Sequence, residues 1–198
     1  MVQMSKKQYY LVVFLLLFSA FYGYKKHSEV SQQRDYLNPH LMQLMHTIQN
    51  EIHTTSIILK TLMTENQIPY AQWKQLKNGF EAIEHSSYEI EKMGRAIYPN
   101  HAHGLENATK TSSNLIVNHL IYIEDNFIDT NMDRIDKITF PLETHSMLEL
   151  IYDTANRWNE VSSQYYVTTD IIKRTYWVDM MKEIQDPSVV FQHQYSSQ

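Results

Sequence analysis

The chain has no cysteine, only four glycines and only five prolines in 198 residues. The missing thiols exclude disulfides, covalent haem attachment through Cys-x-x-Cys-His and cysteine-ligated zinc. They also exclude a bacterial lipoprotein anchor, which needs a cysteine after an apolar leader. Scarce glycine argues against phosphate-cradling loops and against sheets with tight turns. Neither a Gly-x-Ser-x-Gly elbow nor a P-loop occurs. A basic surplus is lacking too. Of 17 Lys+Arg, two (Lys6 and Lys7) precede Tyr24, leaving 15 against 22 Asp+Glu, a net charge of −7 beyond that point. No nucleic-acid partner is expected of such a chain.

Charge is absent from one stretch altogether. Residues 8–24 hold no charged side chain over 17 positions, bracketed by Lys6, Lys7, Lys25 and Lys26. At about 1.5 Å per residue this gives roughly 26 Å of helix, at the short end of what spans a bilayer. Tyrosines at both ends suit the membrane–water interfaces, and the lysines can snorkel outward. A signal peptide would need a small-x-small cleavage site. Here bulky aromatics separate Ser19, Ala20 and Gly23. The expectation is an uncleaved transmembrane signal anchor at 8–24. A short cytoplasmic tail (1–7) precedes it, and a juxtamembrane linker (25–38) follows. Most of the chain then lies outside the cytoplasm, periplasmic or extracellular.

The remaining pattern is helical. Leu41, Met45, Ile48, Ile52, Thr55, Leu59 and Leu62 recur at alternating steps of three and four. So do Trp73, Leu76, Phe80, Ile83, Ser87, Ile90, Gly94 and Ile97. Both are seams of the bundle type. A third helix is predicted over 105–128, with Ile116, Leu120, Ile123 and Phe127 on its stripe. A fourth is predicted over 143–184, through Leu148, Ile151, Ala155, Trp158, Ser162, Tyr165, Ile172, Tyr176 and Met180. Its length suggests a kink or break near Val167–Asp170. Residues 132–140 can hold a short helical turn. Asn38-Pro39 reads as an N-cap and first helical residue, Pro69 and Pro141 as openers, Pro99 and Pro187 as stops. The predicted fold is all-α: a membrane helix, then an antiparallel four-helix bundle over 39–185 and a flexible tail over 186–198.

Ten histidines raise the question of metal. None has glutamate three residues before it, as di-iron bundles require, and no zincin motif occurs. His46 and His53 share one helix face two turns apart. His101 and His103 lie in a link. His119 sits among apolar residues. The acidic residues Glu81, Glu84, Glu89, Glu91, Glu124, Asp125, Asp129, Asp133 and Asp136 lack EF-hand spacing and read as a solvated face. No cofactor, metal ligand or catalytic residue is nominated. Asn107-Ala108-Thr109 is a glycosylation sequon.

Aromatics are the positive signal. Trp158, Tyr165, Tyr166, Tyr176 and Trp177 crowd the last third, and adjacent helical positions diverge by about 100°, so some must leave the seam. Exposed tyrosine and tryptophan suit protein contact, and these five are the candidate interaction residues. In architecture the chain is similar to the periplasmic four-helix sensor modules of bacterial receptors. It differs in having no second apolar run long enough to span after Tyr24. The leading expectation is a membrane-anchored, non-catalytic interaction or scaffold protein of the cell envelope. Its partners are the lipid bilayer and either another protein or a second copy. The alternatives are a signal- or ligand-sensing bundle acting through a partner membrane protein, and a histidine-based metal or haem carrier.

Overall fold

A computed structural model describes residues 6–128 and 136–197, without the side chains of 6–13, 20 and 26–34. The order is helix α1 (Lys6–Glu65), strand β1 (Gln67–Pro69), α2 (Tyr70–Ile97), α3 (Ala108–Phe127), strand β2 (Lys137–Thr139), α4 (Leu142–Ser162), a 3-10 turn at Ile171–Lys173 and α5 (Tyr176–Tyr195). The chain divides into two compact units, Met1–His40 and Leu41–Gln198.

In the first unit the backbone is helical from Lys6 onward. Residues 25–38, expected as a juxtamembrane linker, are helical, and Pro39 lies inside α1 instead of opening it. The large apolar side chains described between Phe14 and Tyr24 all face solvent: Phe14, Leu15, Leu16, Leu17, Phe18, Phe21, Tyr22 and Tyr24, whereas Leu37 is half-buried. Among the described residues no helix is long and apolar enough to cross a membrane. The side chains of 8–13 and 20, within the expected anchor, and residues 1–5 of the expected tail lie outside the described residues.

The second unit is a helical bundle. The first seam, Leu41 to Leu62, is buried at every predicted position, and the second from Trp73 to Gly94 likewise. Burying each large aliphatic side chain contributes roughly 1.5–3 kcal/mol. Contacts between neighbours run antiparallel. Lys77 and Tyr70 near the start of α2 meet Glu124 near the end of α3. Arg95 near the end of α2 meets Asn107 at the start of α3. His53 and Gln49 of α1 meet Asn159 and Ser162 of α4. Asn66, at φ 52°, ends α1 in the left-handed conformation that asparagine tolerates. Pro69 and Pro141 cap α2 and α4, where a missing N–H costs nothing, and α2 stops just before Pro99.

Three expectations are corrected. The predicted fourth helix is broken, as its length suggested, but fully, into α4 and α5, so five α-helices and not four are seen among the described residues. The break spans 163–175, starting before Val167. Residues 186–195, expected as tail, continue α5 through Pro187. Ile184, Ser188 and Phe191 keep the seam spacing and are buried, and that packing outweighs the hydrogen bond Pro187 cannot make. Residues 137–139 are extended, not helical. Ile138, buried, pairs antiparallel with Ile68 in a two-stranded ribbon. Residues 129–135, including the expected breaker Asp129-Thr130-Asn131, lie outside the described residues.

Candidate functional site

The five nominated aromatics separate by environment. Trp158 is fully buried, its Nε1 donates to Ser188 Oγ at 3.0 Å, and Phe80 meets it edge-on at 6.3 Å. Trp177 is fully buried against Tyr98, and its ring lies 3.5 Å from where a Cβ on Gly94 would stand. A Cβ at 94 would therefore sit in ordinary van der Waals contact, and the packing there does not demand glycine. Both tryptophans are core and neither can touch a partner, which corrects their nomination as interaction residues. Tyr165 and Tyr176 are half-buried and stack at 6.4 Å. Tyr165 OH donates to Glu183 at 2.7 Å; burial first, then this acceptor and its charge, push the phenol above its usual range. Tyr166 alone of the five is free to meet a partner, at 79% exposure.

Tyr166 stands on the α4–α5 connection, whose backbone is strapped from several sides. Gln49 Nε2 donates to the carbonyls of Ser162 (3.0 Å) and Tyr165 (2.8 Å). Tyr98 OH donates to Ile172 O at 2.8 Å. The Thr168 N–H donates to Tyr176 OH at 3.3 Å. Ile171 and Ile172 plug into the core. Held this way, it presents the exposed Tyr166 from a fixed frame. Sequence reasoning missed Gln49 and Tyr98. Their acceptors lie 113 and 74 positions away, and no local pattern encodes such pairings.

The acidic residues are not one solvated face. Glu81, Asp125 and Asp136 are exposed, but Glu91 and Glu124 are buried. Glu124 accepts from Tyr70 and Lys77. Glu91 accepts the Asn107 N–H at 2.9 Å and lies 3.5 Å from Arg95. Burial, partly offset by those two partners, raises its carboxyl above the ordinary value. Asn107 Oδ1 accepts from Arg95 of α2 and Thr109 Oγ1 lies buried against Ser188 of α5, so the sequon is built into the packing of α3 on both helices. His119 packs against Tyr122 and Tyr195 with its Nε2 buried, and desolvation lowers its pKa.

These two groups predict opposite pH dependences. For Glu91 the folded pKa lies above the unfolded one, so stability falls as pH rises from about 4.5 toward the folded value. For His119 the folded pKa lies below, so stability falls as pH drops through about 6.5 toward the folded value. Single variants separate the two contributions. Urea titrations across pH 4–8 should show Glu91→Gln losing the first slope and His119→Leu the second. Unchanged slopes in both would contradict these environments.

Among the described residues no group of three or more His, Asp or Glu side chains is placed to hold a metal ion. His46 and His53 are exposed, and His101 Nε2 lies 2.6 Å from Asp179 Oδ1. Surface clefts of about 500, 380 and 200 Å³ lie along the helices, lined mainly by exposed or half-buried polar residues. The fold defines an all-helical bundle protein with an exposed apolar helical stretch at its N-terminal unit. No protein-family model, curated protein or solved structure matches the chain.

Proposed function

We propose that this chain is a membrane-anchored helical-bundle interaction or scaffold protein of the cell envelope, without catalytic activity, its bundle held outside the cytoplasm. One observation carries the reading. Eight large apolar side chains between Phe14 and Tyr24 are 55–74% exposed. Consecutive positions 14–18 are included, so every side of the helix is apolar. An amphipathic surface helix would keep one polar face; a helix apolar all round belongs in lipid or in a core. Tyrosines and lysines at both ends extend a short apolar stretch into the headgroup layers. The strapped connection bearing Tyr166 supports the second half of the reading, since an exposed tyrosine on a fixed frame suits a protein contact.

Photo-cross-linking in native membranes tests the contact. A cross-linker beside Tyr166 is expected to capture a defined protein or a second copy, and Tyr166→Ala to reduce that capture roughly tenfold or more, in line with a hot-spot loss of about 2 kcal/mol. The variant should remain folded, because the side chain is exposed. Equal capture by both proteins removes Tyr166 from the interface. A C-terminal reporter active only in the cytoplasm overturns the orientation.

A further inference from the structure

We infer that Gln49 is the positioning residue of the Tyr166 contact: its amide, reaching from α1, sets the direction in which the chain leaves α4. The inference rests on Tyr166 as the contact residue proposed above. It begins from what the connection lacks. Residues 163–175 contain no glycine and no proline, the residues that ordinarily fix a helix exit. Among the described residues positive φ occurs only at Asn66, Gly104 and Asn107, so no left-handed residue turns the chain after Ser162. Ser163 stays in the right-handed helical region, at φ −66° and ψ −15°. Residues 165–168 then belong to no helix, strand or turn.

The constraint comes instead from another helix. Gln49 Nε2 carries two hydrogens. It donates to Ser162 O, at the last residue of α4, at 3.0 Å and to Tyr165 O at 2.8 Å. One amide thus ties the helix end to the peptide that leads into Tyr166. The Tyr165 carbonyl and the Tyr166 nitrogen share that planar peptide, so holding the carbonyl orients the bond from which Tyr166 departs. The Tyr165 ring is held independently, stacked on Tyr176 and bonded to Glu183. Similar residues fail this geometry. Glutamate, of the same shape, presents only acceptors to two carbonyls, and methionine, of similar length, presents no donor. The fold asks less of this amide. Gln49 is half-buried, and with Ser162 and Tyr165 it lines a surface cleft of about 200 Å³ among polar residues. Water entering that cleft can replace the amide at the carbonyls, so orientation is lost while the bundle stays folded.

Because the chain has no cysteine, Tyr166→Cys carries a single nitroxide label on the full chain in lipid nanodiscs. Its spectrum should be that of a restricted label. Adding Gln49→Met or Gln49→Glu should narrow the lines, and adding Gln49→Lys, which keeps donors and reach, should not. His53→Ala is the control: it removes a neighbour in the same cleft that bonds Asn159, and the lines should stay broad. In native membranes, with the cross-linker beside an intact Tyr166, Gln49→Met and Gln49→Glu should lower capture roughly fivefold, the cost of ordering a freed segment on binding, and Gln49→Lys should stay within about twofold of the parent. Circular dichroism checks helix content, and Gln49→Glu carries the test if Gln49→Met loses it. Lines as broad in the donor-free variants as in the parent overturn the inference. So does full capture after the lines have narrowed, or a loss with Gln49→Lys equal to that with Gln49→Met. Unchanged capture by Tyr166→Ala overturns the contact itself, a separate failure because the label spectra involve no partner.

Discussion

Leu15→Lys combined with Phe18→Lys should move the protein from the membrane pellet to the soluble fraction. Each charge at the centre of an inserted helix costs about 2.5–3.5 kcal/mol on insertion scales. Together they shift partition by roughly four orders of magnitude, since about 1.4 kcal/mol is tenfold. Both positions are exposed in the N-terminal unit, so the substitutions disturb no packing described in the structure. The same outcome is expected on deleting residues 8–24. The core of the second unit, from Leu41 to Phe191, contains none of the deleted residues. The deleted form should therefore be helical by circular dichroism and unfold cooperatively. Release of the unaltered protein by alkaline carbonate would sink the anchor, and so would retention of the double-lysine variant after such a wash.

Trp158→Ala should destabilise the bundle by about 3–5 kcal/mol, as truncating a large core aromatic does. The indole is fully buried, meets Phe80 edge-on and donates to Ser188 Oγ. That hydroxyl also lies 3.2 Å from Thr109 Oγ1 and donates to Ile184 O, so α3, α4 and α5 meet at one point. Removing the ring opens a cavity and takes one donor from this buried hub. Against a total stability of about 5–15 kcal/mol, the loss is a large fraction. Urea unfolding followed by circular dichroism should show it, with Tyr166→Ala within about 0.5 kcal/mol of the parent as the surface control. A cost below about 1 kcal/mol for Trp158→Ala would overturn its placement in the core.

Helices were legible where periodicity and punctuation agreed. The seams of Leu41–Leu62 and Trp73–Gly94 are buried as their spacing predicts, and Pro69, Pro99 and Pro141 stand at helix ends. The errors fall where a local signal competes with packing. Pro39 and Pro187 read as boundaries yet lie inside helices. At Pro187 the buried Ser188 and Phe191 hold the chain in the bundle. The β-ribbon was missed because each strand has three residues, too few for an alternating pattern to register.

The candidate site was half legible. Composition drew attention to the late aromatics, but periodicity cannot say which of two adjacent rings turns inward once the helix breaks at 163–175. Glu91 and Glu124 read as surface acids because a charge is assumed solvated until its partners are known, and apart from Arg95, on the same helix as Glu91, those partners sit on other helices or across a link.

By itself the sequence determined the helical class, two complete seams, the uncharged N-terminal stretch with its lysine brackets, and the absence of thiol chemistry. These depend on residue type and on spacings of three and four. Only the tertiary structure decided that Trp158 and Trp177 are core, that Tyr166 is exposed on a strapped connection, and that α5 passes through Pro187. Each of those depends on contacts between segments tens of residues apart, where packing free energy outweighs local preference.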